Sequence, residues 1–439
     1  MRGSPGDRSQ SDKQKADRSG HDSAPPAMSE SPRMRKRVLI LVQNLSVPFD
    51  RRVWLECQSL VNAGFRVAVV CPKASGDPTY HRLDGVDLYK YRPYAPGGSS
   101  VSFVLEYVYS FVATLLLSLR ASCRGRFAVV QSCNPPDLFW PIGLLFRMLH
   151  GSSFVFDHHD LCPELYESRF PDGNRLIYRA LRLMERCTAR TADHVISTND
   201  SYRQIVLDRD GIEPASVTVV RTGPDLTRLC RTTAEPSLRR AKPHLAAYLG
   251  VMGPQDGVDL VLDMVHHIVH QLGRRDIGFT LIGSGDCFDD LVALSHRLDL
   301  SDFVTFTGRI PDAEVAAILS TADVGISPDP KNPLNDVSTM NKTMEYLAFA
   351  LPVVAFDLRE TRVSAADAAV YATPNDVTEL AQLLVDLIDD EPRRRAMGMV
   401  GLARIEQELA WGHQAPRYVE IYETLTAGSR RRVPLSAGG

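Results

Sequence analysis

The stretch ADVGISPDPKNPLNDVSTMNKTMEYLAFALPVVAFDLRETR, residues Ala322 to Arg362, decides the fold. Its apolar run from Asp323 to Ser327 reads as a buried strand and the Pro- and Asn-rich segment after it as a loop. Thr339 to Ala350 then reads as a helix and Val353 to Phe356 as a second buried strand. Asn335, Asp336 and Ser338 stand ahead of the helix as caps, and Pro352 cannot continue it. Strand, crossover helix and strand make a βαβ unit, which sets helix N-termini at the carboxyl edge of a parallel sheet, where ligands bind. Such an edge favours an anionic ligand.

Within that helix Met344, Leu347 and Ala348 share an apolar face, while Asn341, Lys342 and Glu345 share a polar one. Backbone N–H groups and the Lys342 ammonium suit a diphosphate, and Glu345, one turn on, suits the hydroxyls of a ribose. The same spacing also fits an exposed Lys and Glu pair on an ordinary amphipathic helix. Periodicity leaves both readings open.

The chain has 439 residues, 44% of them hydrophobic, enough for two sizeable cores. Its formal charge of −3 gives a nucleic-acid role no support. Eight cysteines, at 57, 71, 123, 133, 162, 187, 230 and 287, are scattered without a CxxC. This predicts reduced thiols, no structural zinc and a cytoplasmic protein. Residues 1–35 lack an apolar signal region and are too polar to bury a core, which predicts a disordered tail.

Ahead of the deciding stretch, VLILV at 38–42 reads as a buried parallel strand, followed by the loop QNLSVPFDRR, a helix to Ala63 closed by Gly64, and a strand from Arg66 to Cys71. This opens a Rossmann-like domain, although no GxGxxG stands in its first turn. Arg51 and Arg52 suit phosphate or an anionic acceptor, with surface pairing to Asp50 and Glu56 as the plainer alternative. Val104, Val108, Phe111, Leu115 and Leu119 recur at helical spacing, for either a core-facing helix or one touching a membrane surface. The loop CNPPDLFW carries Asn134. Strand Phe154 to Phe156 runs into His158, His159, Asp160 and Glu164, a density of ionisable groups that a cleft would use. After the polar linker Arg221 to Lys242 a second domain opens with Leu245 to Leu249 and a loop holding Gly250, Gly253 and Gly257. A further edge loop follows at Gly283 and Gly285, and Gly residues in both let backbone approach a ligand.

The run NDVSTMNKTMEYLAFALPVVAFD resembles the donor-site segment of retaining nucleotide-sugar glycosyltransferases of family 4, which have the GT-B fold. NLSVPFDRRVWLECQSLVNAGFRVAVVCPK resembles the start of a bacterial subset that builds surface polysaccharides. The resemblance implies an α/β protein with two Rossmann-like domains about a deep cleft and a C-terminal helix crossing back to the first. The implied boundaries are 1–35 tail, 36–223 acceptor domain, 224–408 donor domain, and 409–439 crossover helix and tail. That family commonly has two glutamates here; Glu345 matches the one that contacts ribose. Val337 takes the place of the other, and Asp336 beside it is a stand-in.

By the same resemblance His159 touches the transferred sugar and the diphosphate, with Asp160 and Lys342 completing the catalytic group. Gly253, Gly257, Gly283, Arg309, Ile310, Asp336, Asn341, Lys342 and Glu345 form the donor site. Asp50, Arg51, Arg52 and Asn134 line the acceptor or phosphate cleft. Where relatives place Arg and Lys in the 253–257 loop, this chain has Gln255 and Asp256, so Lys342 with Arg51 or Arg52 must supply the positive charge. The implied reaction is retaining, metal-independent sugar transfer from a nucleoside diphosphate sugar to a carbohydrate or lipid-linked acceptor, with no cofactor. It would take place in the cytoplasm or on the inner membrane face. A sugar-nucleotide epimerase of the same fold and a silent nucleotide-sugar-binding scaffold are the alternatives.

Overall fold

The computed structural model of the chain describes residues 36–94, 100–170, 172–228 and 230–428. The tail expected at 1–35 and the residues after 428 lie outside them. The strands are β1 Arg37–Leu41, β2 Arg66–Pro72, β3 Tyr80–Leu83, β4 Val86–Tyr91, β5 Val129–Cys133, β6 Ser153–His158, β7 His194–Ser197 and β8 Val217–Val219. They continue with β9 His244–Leu249, β10 Ile277–Ile282, β11 Val304–Gly308, β12 Val324–Ser327, β13 Val353–Phe356 and β14 Ala369–Ala372. The helices are α1 Arg51–Asn62, α2 Ser100–Ser122, α3 Trp140–His150, α4 Cys162–Arg169, α5 Arg175–Thr191, α6 Asp200–Ile205 and α7 Val258–His266. After these come α8 Phe288–Arg297, α9 Asp312–Thr321, α10 Asn341–Ala348, α11 Arg359–Ala365, α12 Val377–Asp389, α13 Glu391–Arg404 and α14 Trp411–Gly428.

Two sheets result. The first has order β3-β4-β2-β1-β5-β6-β7-β8, parallel except for the β3 edge; the second has order β11-β10-β9-β12-β13-β14, parallel throughout. Their central strands are buried from end to end because helices cover both faces. In each sheet the strand order reverses beside its first strand, between β1 and β5 and between β9 and β12. A crevice opens at such a reversal, at the carboxyl ends of the two strands, because the loops leave in opposite directions. The functional loops are therefore those after β1, β5 and β6 in one sheet, and after β9 and β12 in the other.

α14 starts beside the second sheet and packs into the core of the first. Trp411, Tyr418, Ile421 and Tyr422 are buried among Val38, Val67, Val129 and Val155. The Trp411 indole donates to Ser59 at 3.0 Å, and the Tyr418 hydroxyl donates to Gln131 at 2.6 Å.

Of the stripe expected along α2, Phe111, Leu115 and Leu119 pack against the first core and Val108 does not. The inward face of the helix carries Ser110, Thr114 and Ser118, all buried, flanked by Phe111 and Leu115, while Val108, Val112 and Leu116 face solvent at 56%, 46% and 60% exposure. An outward apolar stripe on a helix that also packs inward has no core to explain it. Among the described residues no helix is long and apolar enough to cross a membrane.

Candidate functional site

The crevice of the first sheet is built around the end of β6. Asp157 is its last fully buried acid, and Arg52 from α1 meets it with two parallel bonds of 3.1 and 2.8 Å. Arg52 also donates to the Val220 carbonyl and Thr222 hydroxyl and lies 3.1 Å from Glu56. Its guanidinium is only 6% exposed. Arg52 is therefore neither a cleft-facing phosphate ligand nor a surface pair; it is the buried partner of Asp157 and Glu56. Glu56 and Asp157, with Cys133, have metal-ligand spacing, but Arg52 already bridges the two acids and burial holds the Cys133 thiol well above its usual range.

Asp157 then fixes His159. The imidazole Nδ1 lies 3.0 Å from the carboxylate, and Asn134 accepts the His159 and Asp160 N–H groups at 2.8 and 3.1 Å while donating to the Asp160 carbonyl at 2.6 Å. Burial alone would lower the His159 imidazole, but the Asp157 carboxylate overrides it and raises the group to about 9. His159 is thus an imidazolium at neutral pH. His158 turns the other way, fully buried 3.2 Å from Glu185, so the two adjacent histidines have separate environments. Burial raises the Asp160 carboxyl. Asp50 caps α1 by accepting the Val53 N–H at 3.1 Å, which gives it a structural partner in place of a ligand.

In the second sheet α10 begins at Asn341, two residues later than the sequence suggests. The expected caps are used elsewhere: Asp336 accepts the Arg359 N–H at 3.0 Å ahead of α11, and the Ser338 hydroxyl donates to Leu334. Asp336 is thereby tied to α11, which argues against its standing in for a second glutamate. Lys342, in the first turn of α10, donates to Asp329 at 2.6 Å and lies 5.1 Å from the Tyr248 ring centre. Asp329 therefore neutralises much of the cation expected to meet a diphosphate. Glu345 points across the cleft.

The glycine loops have a different first use from the one expected. A Cβ on Gly283, whose φ is 132°, would stand 1.8 Å from the Gly250 carbonyl oxygen, and one on Gly257, with φ of 67°, would stand 2.4 Å from the Pro328 carbonyl oxygen. These glycines let the edge loops pack on each other. The Gly253 N–H donates to Asp256 at 2.9 Å, inside its own loop.

The two crevices face one another, and side chains join them. Arg51 reaches Glu345 at 2.9 Å and Asp312 at 3.1 Å. The exposed Arg309 guanidinium lies 3.7 Å from the Phe49 ring centre, and Ile310 packs partly into the second core. Asn199 donates to the Val337 carbonyl and the Thr339 hydroxyl, both at 2.9 Å, and Tyr202 meets Ser338 at 2.8 Å. Burial pushes the Glu345 carboxyl above its ordinary range while Arg51 and Arg228 pull it back. The structure therefore collects His159, Asp160 and Asn134 on one wall and Lys342, Glu345, Arg309 and Ile310 on the other, with Arg51 and Phe49 between. Sequence reasoning passed over Asp157, whose signal is its place two residues before His159 at a strand end. It also passed over Asp312 and Asn199, which nothing local distinguishes.

Both halves of the chain match known families. The profile of the glycosyl transferase 4-like domain matches residues 50–223, and that of the glycosyl transferases group 1 matches residues 243–390. A D-inositol 3-phosphate glycosyltransferase from Kineococcus radiotolerans is 27% identical over 260 residues, covering 54% of this chain and 58% of that protein. The sucrose-phosphate synthase of Thermosynechococcus elongatus superposes with a TM-score of 0.73 at 16% identity, over 90% of this chain and all of that one. The Anabaena protein HepE, solved with UDP and glucose, superposes with a TM-score of 0.65 at 14% identity, over 89% of this chain and 100% of its own. At these identities the structural likeness speaks for the GT-B fold alone.

Proposed function

Because the chain belongs to the family 4 type of glycosyltransferases, its halves matching the 4-like and group 1 domains, we propose that it transfers a sugar from a nucleoside diphosphate sugar to an acceptor hydroxyl with retained configuration. The reading rests on Glu345: a nearly buried carboxylate on the helix after β12, at the strand reversal of the second sheet, facing the first. A ribose held there directs its diphosphate toward the N-terminus of α10 and His159. As the bond from the sugar carbon to the diphosphate breaks, charge grows on the leaving oxygen, and the His159 imidazolium and backbone N–H groups are fixed to meet it. The acceptor attacks from the same face, and its proton passes to the departing diphosphate. No metal or cofactor enters these steps.

Replacing Glu345 with glutamine is expected to raise the donor KM about tenfold with little change in kcat, since one charge-assisted hydrogen bond is weakened. Steady-state kinetics with a panel of UDP-, GDP-, ADP- and TDP-sugars tests this, and wild-type kinetics in the variant would remove Glu345 from the site. NMR of the product fixes the anomeric outcome. Conversion of the donor without any acceptor would show an epimerase instead, and nucleotide binding without turnover a scaffold.

The acceptor in this reading is a carbohydrate or lipid-linked intermediate of surface polysaccharide assembly, met at the inner face of a membrane. Its support is the outer surface of α2, α3 and α5. α3 touches both others, with Phe111 of α2 stacked on Phe139 at its start and α5 packed against it. Val108, Val112, Leu116, Met148, Leu149, Leu176 and Leu183 are exposed there. α5 adds five arginines, and its one acid, Glu185, is buried against His158 and Arg209. Apolar side chains among arginines suit the interface of an anionic bilayer. In flotation assays the protein should rise with vesicles containing phosphatidylglycerol and stay behind with phosphatidylcholine alone. A Val112→Glu, Leu116→Glu variant should lose most of that binding; failure of the wild type to float would exclude the membrane contact.

A further inference from the structure

The donor reading gives Glu345 one task, yet in the structure that carboxylate already has a partner from the opposite wall. Arg51 is the first residue of α1. Its guanidinium is split between two acids of the second half, with Nη1 2.9 Å from Glu345 Oε1 and Nη2 3.1 Å from Asp312 Oδ1. Asp312, at the start of α9, is shared with Arg228, 3.1 Å from its other oxygen. Two residues earlier, Phe49 lies under the Arg309 guanidinium. The loop after β1 thus grips the carboxyl edge of the second sheet at two neighbouring points, one ionic and one aromatic.

The exposures of the partners differ in a way that matters. The Arg51 side chain is 46% exposed and Asp312 39%, but Glu345 only 15%. Pairing at the solvent-facing end is screened and weak, so Arg51 is easily released. Glu345, by contrast, is deep enough that its carboxylate must keep a donor. A vicinal diol meets a carboxylate with one hydroxyl on each oxygen, so it needs the Oε1 that Arg51 Nη1 holds. With Glu345 only 15% exposed, the diol and the guanidinium compete for the same small open side of the carboxylate.

We propose that Arg51 is a latch on the donor site: it occupies Glu345 across the cleft, and the donor's ribose binds by displacing it. The inference rests on the donor reading of Glu345. Displacement breaks a tie between the walls as the nucleotide enters, so donor binding and the relative seating of the two halves are coupled through one side chain. The latch also discriminates. A ligand that brings no vicinal diol to Glu345 leaves Arg51 in place.

The test is isothermal titration of the whole protein with UDP, GDP, ADP and TDP at pH 8, continued with whichever binds the wild type. Arg51→Ala and Arg51→Met should bind that nucleotide about two- to tenfold more tightly, the range for losing one or two weak competing ion pairs. The gap should narrow as salt rises from 50 to 300 mM, because salt loosens the latch in the wild type. Asp312→Asn, which weakens the hold on Arg51 without touching Glu345, should move affinity the same way by less. Unchanged or weaker binding in both Arg51 variants overturns the latch and leaves the donor reading standing; weaker binding would make Arg51 a ligand of the diphosphate. If no nucleotide binds any of these proteins, both the donor reading and the latch fall.

Discussion

Replacing His159 with alanine is expected to lower kcat about a hundred- to a thousandfold, the usual cost of removing one fixed donor from a developing oxyanion, while nucleotide affinity changes little. The expectation comes from how the imidazole is held. Asp157 takes Nδ1, Asn134 fixes the backbone on both sides, and Nε2 is left for the cleft. With the group raised to about 9, the cationic form predominates at neutral pH, and kcat should fall as pH passes 9. Asp157→Asn removes the carboxylate that raises it, so the fall should begin at lower pH. The same proton stabilises the fold. Because the folded value lies above the ordinary 6.5, that contribution is complete below about pH 6.5 and is lost as pH rises through about 9. Unchanged turnover in His159→Ala would take His159 out of the mechanism.

The largest effect on stability should come from Arg52. Methionine there keeps much of the stem's volume but leaves Asp157 with only His159 as a cation and Glu56 with none, both acids at 0% exposure. Breaking a buried pair from one side costs about 3–5 kcal/mol, which should appear as a large drop in the urea midpoint. Burial, with Asp157 beside it, lifts Glu56 to about 8 despite Arg52, so this carboxyl already holds a proton at neutral pH and Asp157 carries the charge that Arg52 compensates. Adding Asp157→Asn to Arg52→Met should therefore recover part of the loss. A midpoint for Arg52→Met within error of the wild type would show that the cluster relaxes by admitting water.

These two residues also show what the sequence makes legible. Strands such as Val38 to Leu41 and Val353 to Phe356 are apolar throughout because both faces are covered, so the βα order, and with it the two-sheet fold, can be read directly. Arg51 and Arg52 are adjacent and chemically identical, yet one crosses the cleft and the other enters the core. About 100° of helix rotation separates them, and the sequence does not reveal which way the first turn faces. The start of α10 was read two residues early because the residues best suited to cap it, Asp336 and Ser338, serve α11 and their own turn instead. α2 divides the expected stripe: Phe111, Leu115 and Leu119 pack inward beside buried hydroxyl residues, while Val108 joins Val112 and Leu116 on an apolar surface. The wall-to-wall contacts through Asp312 and Asn199 have no local signature, since each joins segments more than a hundred residues apart.

α14 carries a consequence for synthesis. Its Trp411, Tyr418 and Tyr422 complete the core of a sheet whose strands all lie ahead of residue 220. As the polypeptide leaves the ribosome, the first half emerges early but keeps an open seam until the last helix arrives, while the second half can bury its own core at once. The part made first is thus the part finished last, and a chain cut short ahead of Trp411 would present that seam permanently to chaperones and proteases.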